Sequence, residues 1–331
     1  MRYIIFLLCC ISGLKAQTVH LIAEKKGISF RAISVVSDKI IWVSGSSGTI
    51  GKSTDAGKTW HWMKVAGYET KEFRDIEAFD EHTAVIMAVG EPAVILKTED
   101  DGRKWKAVYT NSTPGMFLDA MEFWNDESGI VIGDPVNGRF FVARTFDGGN
   151  NWRPLSFDKL PVADSGEACF AASGTNVRAL TRGEACFISG GSKSRFFFKD
   201  NRVDLPVLSG KETQGANSVG IWNKNRKIPL VAVVGGDFDK PEVNTGNCAL
   251  STDGGKTWTT PQTPPNGYRS CIEFISPDRL ITCGMNGVDI SNDRGKNWKR
   301  ISGEGFHVCR KAKKGKSIFL AGSGKIGKLE P

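Results

Sequence analysis

The sequence is poor in the residues on which most site chemistry depends. It has four histidines in 331 residues, His20, His61, His82 and His307, and no two stand at a metal-ligand spacing. Neither HExxH nor CxxC occurs, which removes the common zinc-hydrolase and dithiol-redox signatures. "GSGKIG" at 322–327 has the letters of a dinucleotide loop, but only four residues follow it, too few for the helix that would meet a phosphate. "GKT" at 57–59 and 255–257 lacks the upstream glycine of a phosphate loop, because Lys52 and Leu250 stand there. Asp237 and Asp239 in "GGDFDKPE" are acids enough for a calcium loop, yet a solvated turn accounts for them more simply. Neither a cofactor nor a metal is expected.

Long apolar runs are equally scarce. The one at the start, "MRYIIFLLCCISGLKAQ", has Arg2, an apolar core from Ile4 to Ile11, and Ala16 before Gln17. It reads as a secretory signal peptide over residues 1–16 and is too short to span a bilayer. The remaining chain should then be exported, secreted or periplasmic, and not membrane-spanning. The formal net charge of +8 falls to +6 without Arg2 and Lys15. Much of it sits late, at Lys299, Arg310, Lys311 and their neighbours, and reads as solvated strand edges. Nucleic acid is not an expected partner, since no recognition module accompanies the charge.

Six cysteines follow the leader: Cys169, Cys186, Cys248, Cys271, Cys283 and Cys309. An oxidising compartment permits bridges, and Cys169–Cys186, across the first hairpin of one unit, is the expected one. Buried free thiols are the competing reading, because a chain this long builds its core without staples.

What the chain has in plenty is a repeat. "STDAGKTW" at 53–60 returns as "TEDDGRKW" at 98–105, "TFDGGNNW" at 145–152, "STDGGKTW" at 251–258 and "SNDRGKNW" at 291–298. Asp55, Asp100, Asp147, Asp253 and Asp293 each precede a Gly by two residues and a Trp by five. A catalytic acid is rarely needed five times, whereas a structural unit is. The tryptophans are 45, 47, 106 and 40 residues apart, and the long gap holds a degenerate box in "DNRVDL", with Asp200 in the acid position. Repeats of this period signal a propeller or solenoid.

Two further series give the same count. Apolar runs enter glycine turns at Gly45, Gly90, Gly133, Gly190, Gly235, Gly284 and Gly322. Each unit opens alike, as in "FRAISVV", "FRDIEAF", "FLDAMEF" and "YRSCIEF". Short runs of Val, Ile, Phe and Trp between Gly, Asp, Asn and Ser predict four antiparallel strands per unit, with the box at the turn between third and fourth. There the Asp accepts backbone N–H groups and the Gly takes positive φ. The last unit stops at Leu329 without a fourth strand, and "TVHLIAEKKGISFRAI" at the start supplies one. The expectation is therefore an all-β, seven-bladed β-propeller over residues 17–331, one domain, closed by its N-terminal strand.

The boxes are similar to the Asp-box (BNR) repeat of sialidase-like propellers. Seven units, the leader and the "FRAI" and "FRDI" openings resemble more specifically the photosystem II stability/assembly factor-like family, over essentially the whole chain after the leader. The resemblance implies a seven-bladed propeller that binds partner proteins, the photosynthetic members acting as lumenal chaperones for a reaction-centre subunit. Nothing else in the chain points to photosynthesis.

Propeller geometry places the opening strands along a central channel and the glycine loops on the face opposite the boxes. That predicts Arg31, Arg74 and Arg269 at matching places around one mouth, with Asp119, Glu167, Asn217 and His307 from the other entries. Glu91, Asp134 and Asp237 would come from the glycine loops. Three guanidinium forks at one mouth favour an anionic guest, an acidic or C-terminal peptide segment of a protein partner, bound by a monomer without chemistry of its own. Alternatively the arginines neutralise Asp75, Asp119 or Asp134 and hold the blades in register. The enzymatic rival is a sialidase-type glycoside hydrolase on a polysaccharide, using Asp119, Asp134 or Glu167. Against it, "FRAI" lacks the proline of the sialidase opening, and only Tyr268 stands near the mouth, with no glutamate partner in view.

Overall fold

The computed structural model describes residues 17–223 and 227–330, so the leader expected at 1–16 lies outside the described residues. Apart from two single-turn 3₁₀ segments, the regular structure is antiparallel β. No described helix is long and apolar enough to cross a membrane. In the first unit, strands Thr18–Val35, Ile41–Gly45, Thr49–Ser53 and His61–Lys64 follow one another as neighbours, and the same meander recurs from Phe73 to Asn111. Second strands such as Ile41–Gly45 and Ala84–Ala88 are buried throughout, because each lies inside its own sheet and between two others.

The seven separate four-stranded units expected from sequence are not what the strands form. They hydrogen-bond into five sheets: three of four strands (residues 73–111, 118–154 and 271–302), one of six and one of eight. The first cause is the length of Thr18–Val35. Its early residues pair with Ile318–Glu330, from Thr18 opposite Glu330 to Ser29 opposite Ser323. Its last ones pair with Ile41–Gly45, from Phe30 opposite Gly45 to Val35 opposite Ile41. One strand thus serves two neighbouring units. The second cause is a glycine contact, Gly190 opposite Gly215. A Cβ on Gly215 would lie 2.3 Å from the Gly190 Cα, so only paired glycines let these strands touch.

The innermost strands contact one another in chain order, beginning with Thr18–Val35, Phe73–Ala78, Leu118–Phe123 and Val177–Ala179. Gln214–Trp222, Cys271–Phe274 and Val308–Lys311 continue the circle back to Thr18–Val35. Apolar clusters fill the spaces between consecutive sheets. One holds Trp42, Ile76, Ala78, Ile86 and Leu96, and the Trp42 Nε1 donates to the Asp80 carbonyl at 3.1 Å.

The five boxes are alike. Each Asp Oδ1 accepts the backbone N–H four residues on, at 2.9 Å from Thr59, Lys104, Asn151 and Asn297 and 3.0 Å from Thr257. Each box Gly has φ between 80° and 90°. Its N–H donates to the hydroxyl that precedes the Asp by two residues, as from Gly57 to Ser53 at 2.9 Å. These bonds hold Asp55 ionised, with a pKa lowered to about 2, chiefly through the Thr59 hydroxyl and N–H. The acids are turn frames. The degenerate box differs: Asp200 lies in the two-residue turn between Arg195–Phe198 and Asn201–Asp204, with none of these bonds.

The Cys169–Cys186 bridge does not form, and all six cysteines are buried and free. Cys169 packs with Phe140, Val177 and Phe187, whereas Cys186 packs with Phe196 and Val219 in a different cluster. The two thiols face opposite sides of one sheet, so they cannot meet.

Candidate binding site at the channel mouth

Of the residues placed at the mouth, the innermost strands bring Arg31, Arg74, Asp119, Asn217 and His307 together and separate others. Arg31 is half-buried, and its guanidinium makes no hydrogen bond or ion pair among the described residues. Burial, then the nearby Arg74 charge, pulls its pKa below the ordinary value. Arg74 pairs with Glu72 at 2.8 Å and donates to the Ala171 carbonyl at 3.4 Å, while its Nε has no partner. His307 contacts the hydroxyls of Ser29 and Ser323 at 3.4 and 3.2 Å. Burial, with Arg31, Arg74 and Lys325, lowers its pKa to about 3, so the ring is neutral. The Tyr268 hydroxyl donates to Asn217 Oδ1 at 2.8 Å, and the Tyr268 ring lies close enough to Arg31 to feel its charge.

Two carboxylates adjoin this group. Asp119 is sealed from solvent, and neither of its oxygens closes a hydrogen bond of good geometry, although the amides of Asp134 and Ala171 face it. Burial, then Asp134, raises its pKa well above the usual carboxylate range. Asp134 accepts the Cys169 N–H at 2.8 Å, and burial raises its pKa to about 6. Asp75, named as a neutraliser of the arginines, instead accepts the N–H groups of Ile76 and Met121 at 2.8 and 2.7 Å.

Four residues do not belong to the mouth. Arg269 is buried in an ion pair with Asp289, its Nε 2.6 Å from Oδ2, and its Nη1 donates to Asn286 at 2.6 Å. Three converging arginines are therefore two. Glu167 has a fully buried side chain that pairs with Arg195 at 3.1 Å. Asp237 is buried against Gln214 at 3.0 Å. Glu91 is exposed on its loop, where it accepts the Gly115 N–H at 2.5 Å. No group of three or more His, Cys, Asp or Glu gathers as a metal site among the described residues.

Sequence reasoning missed the opposite mouth, beside the boxes, which holds a cavity of about 580 Å³. Glu122 lies 3.1 Å from Arg178 and 3.2 Å from Arg310, and Glu273 lies 3.6 and 3.7 Å from the same pair. Lys313 reaches Glu77 at 2.5 Å. Burial alone would raise Glu122, but Arg178 and Arg310 outweigh it and hold its pKa below the ordinary value. Lys311, read as a solvated edge residue, lines this cavity with its Nζ 5.6 Å above the Trp222 ring.

The BNR/Asp-box repeat family matches residues 249–260, the segment that holds Asp253 and Trp258. YCF48 bound to D1 peptide superposes with a TM-score of 0.66 at 13% identity, over 96% of this chain and 95% of that one. YCF48 from Cyanidioschyzon merolae gives 0.64 at 17% identity, over 95% and 99%. The WD40 β-propeller domain of Doa1 gives 0.61 at 11% identity, over 94% and 96%. The chain is a β-propeller. No curated protein matches it in sequence. The two YCF48 structures support the resemblance to photosystem II assembly factor-like propellers, and at these identities the likeness is one of fold.

Proposed function

We propose that this propeller is a non-enzymatic binding module that receives an anionic peptide segment of a partner protein at the Arg31 mouth. The observation that carries the reading is the unpaired, half-buried guanidinium of Arg31 beside Arg74. A buried charge without a partner is costly, and a carboxylate seated between two guanidinium groups offsets that cost. The D1 peptide bound to a YCF48 propeller of the same fold supports a peptide as the guest. A glycoside hydrolase is the weaker reading, because Asp119 is sealed from solvent and cannot meet a sugar. The six- and eight-stranded sheets each count as two blades in this proposal, giving a ring of seven. Support comes from the circular order of innermost strands. Residues 17–331 would be one exported, monomeric domain, and protein recovered outside the cytoplasm should begin at Gln17.

Arg31→Glu together with Arg74→Glu tests the site. Capture of an acidic hexapeptide should be lost while the melting temperature stays within a few degrees of the parent. A collapse in melting would mean that the arginines hold the blades together. Full capture by a stable variant would place the guest elsewhere.

A further inference from the structure

The cavity at the box end plays no part in the anionic-peptide reading, and its chemistry is of another kind. Its space of about 580 Å³ is lined by Trp124, Trp222, Glu77, Glu122, Glu273 and Arg310. A recess of about 150 Å³ shares Glu122, Glu273 and Arg310 and adds Arg178, and another of about 430 Å³ shares Glu122 and Trp124. Spaces of this order suit a small ligand. The ion pairs here leave much bonding capacity unspent. Glu122 Oε2 accepts from both Arg178 and Arg310, whereas Glu122 Oε1, Glu77 Oε2 and both oxygens of Glu273 close no hydrogen bond. Glu273 lies 3.6 and 3.7 Å from the two guanidinium groups, too far to bond. The Arg178 side chain is 7% exposed, and its Nη2 is a buried donor without an acceptor. Such a donor calls for a partner that the protein itself does not supply. The two tryptophans are fixed in place. Trp124 Nε1 donates to the Glu184 carbonyl at 2.7 Å, with the Arg144 guanidinium 4.7 Å from its ring. Trp222 lies between the Lys311 Nζ at 5.6 Å and the Phe274 ring at 6.4 Å.

We propose that the box-end cavity is a binding site for a neutral saccharide. The charge balance decides the class first. Glu77, Glu122 and Glu273 offset Arg178, Arg310 and Lys313, so an ionic ligand finds no excess of the opposite sign. The rest of the lining adds Asp126 and Lys311, again one of each sign. The unspent atoms decide next. An ammonium only donates and a carboxylate only accepts, whereas a hydroxyl does both. A hydroxyl beside Glu273 can accept from Arg178 Nη2 and donate to the carboxylate. Further hydroxyls on the same ring suit the free oxygens of Glu122 and Glu77. A sugar ring also presents a face of C–H groups, which matches the flat apolar surfaces of Trp124 and Trp222. Water would satisfy the polar atoms but would leave those surfaces unused. Nothing in this assignment depends on Arg31.

The test titrates the full chain with cellotriose, maltotriose and mannotriose by calorimetry. Two charged analogues of cellotriose accompany them, the glucosamine trimer with an ammonium at each 2-position and the glucuronate trimer with a carboxylate at each 6-position. At least one neutral trisaccharide should bind, at least tenfold more tightly than either charged analogue. Trp222→Leu should weaken that sugar about tenfold, the loss of one ring contact. Trp222→Phe, which keeps a ring, should restore most of it, and both variants should melt within a few degrees of the parent. Arg31→Gln should bind the sugar like the parent. Retention on the corresponding insoluble polysaccharide as well would assign the site to chain ends, and binding of the trisaccharide alone would assign it to free sugar. Failure of all three neutral sugars to bind overturns the proposal, as does equal binding of a charged analogue. Unchanged affinity in a folded Trp222→Leu, or a loss in Arg31→Gln, would move the sugar out of this cavity and overturn it too.

Discussion

At the box end of the channel three acids meet three bases. Glu77, Glu122 and Glu273 face Lys313, Arg178 and Arg310, and each charge has an opposite neighbour within 4 Å. At the other end Arg31, Arg74 and a neutral His307 come together, and Arg31 makes no ion pair among the described residues, the nearby Glu72 being held by Arg74. The balanced end joins strands from across the channel, since Glu122 and Arg310 are 188 residues apart in sequence. The unbalanced end leaves its field open to solvent and to a guest. Charge of similar amount therefore serves cohesion at one mouth and, in the proposed function, recognition at the other, and what separates them is local pairing.

Arg269 sharpens the contrast, because it matches Arg31 and Arg74 in sequence and yet behaves like the balanced end. Asp289, two residues before the box hydroxyl Ser291, captures it. The same position before Ser53 is Gly51, and before Thr98 it is Leu96. Neither offers a carboxylate, so Arg31 makes no ion pair among the described residues and Arg74 pairs instead with Glu72, two residues before it. Asp289→Ala should therefore give the largest effect here, a loss of about 3–5 kcal/mol in chemical denaturation, as expected when one partner of a buried pair is removed. A loss below about 1 kcal/mol would show that Arg269 had swung into the mouth and would restore the cluster of three.

Glu122→Gln should cost less, about 1–3 kcal/mol, since the site is partly open and Glu273 remains to divide its charge between Arg178 and Arg310. The loss should shrink in high salt. If it does not, the cavity end is held by packing, and the two mouths differ less than their charges suggest. Arg31→Gln should move stability by less than about 0.5 kcal/mol, because no bond of the protein is broken. Anionic-peptide binding should nevertheless fall at least tenfold. A destabilisation comparable to that of Asp289→Ala would make the open mouth a structural element.

Much of this was legible in sequence. The boxes, their positive-φ glycines and the strand order follow from spacing, and so does the pairing of the first strand with the last. Periodicity did not show where one sheet ends and the next begins, since that depends on a strand running without interruption past Gly27 and on two glycines meeting. The half-box at Asp200 kept its position and lost its bonds. The cysteines misled because matching positions in a hairpin say nothing about which face each thiol occupies. Two signals were present and unread. Asp289 announces the fate of Arg269, and glutamates recur near the ends of the opening strands, at Glu77, Glu122 and Glu273, where they build the second mouth.

The smallest effect concerns His307, and it reports directly on the open end. Its neighbours are Arg31, Arg74 and Lys325, with the Ser29 and Ser323 hydroxyls against the ring. The folded pKa of about 3 lies below the unfolded value of about 6.5. Between those values the unfolded chain binds a proton that the folded chain refuses, so this residue makes stability fall as pH drops from about 6.5 toward 3. Asp134, raised to about 6, acts in the opposite sense over part of that window, which makes the difference between parent and His307→Gln the quantity to measure. The variant should lose stability less steeply with falling pH. A bound carboxylate beside Arg31 and Arg74 should cancel part of the push on the ring, so His307 should titrate at higher pH in the complex, seen as a displaced imidazole proton resonance. An unmoved titration with peptide bound would place the anionic group away from Arg31, and the open mouth would then owe its charge to something other than recognition.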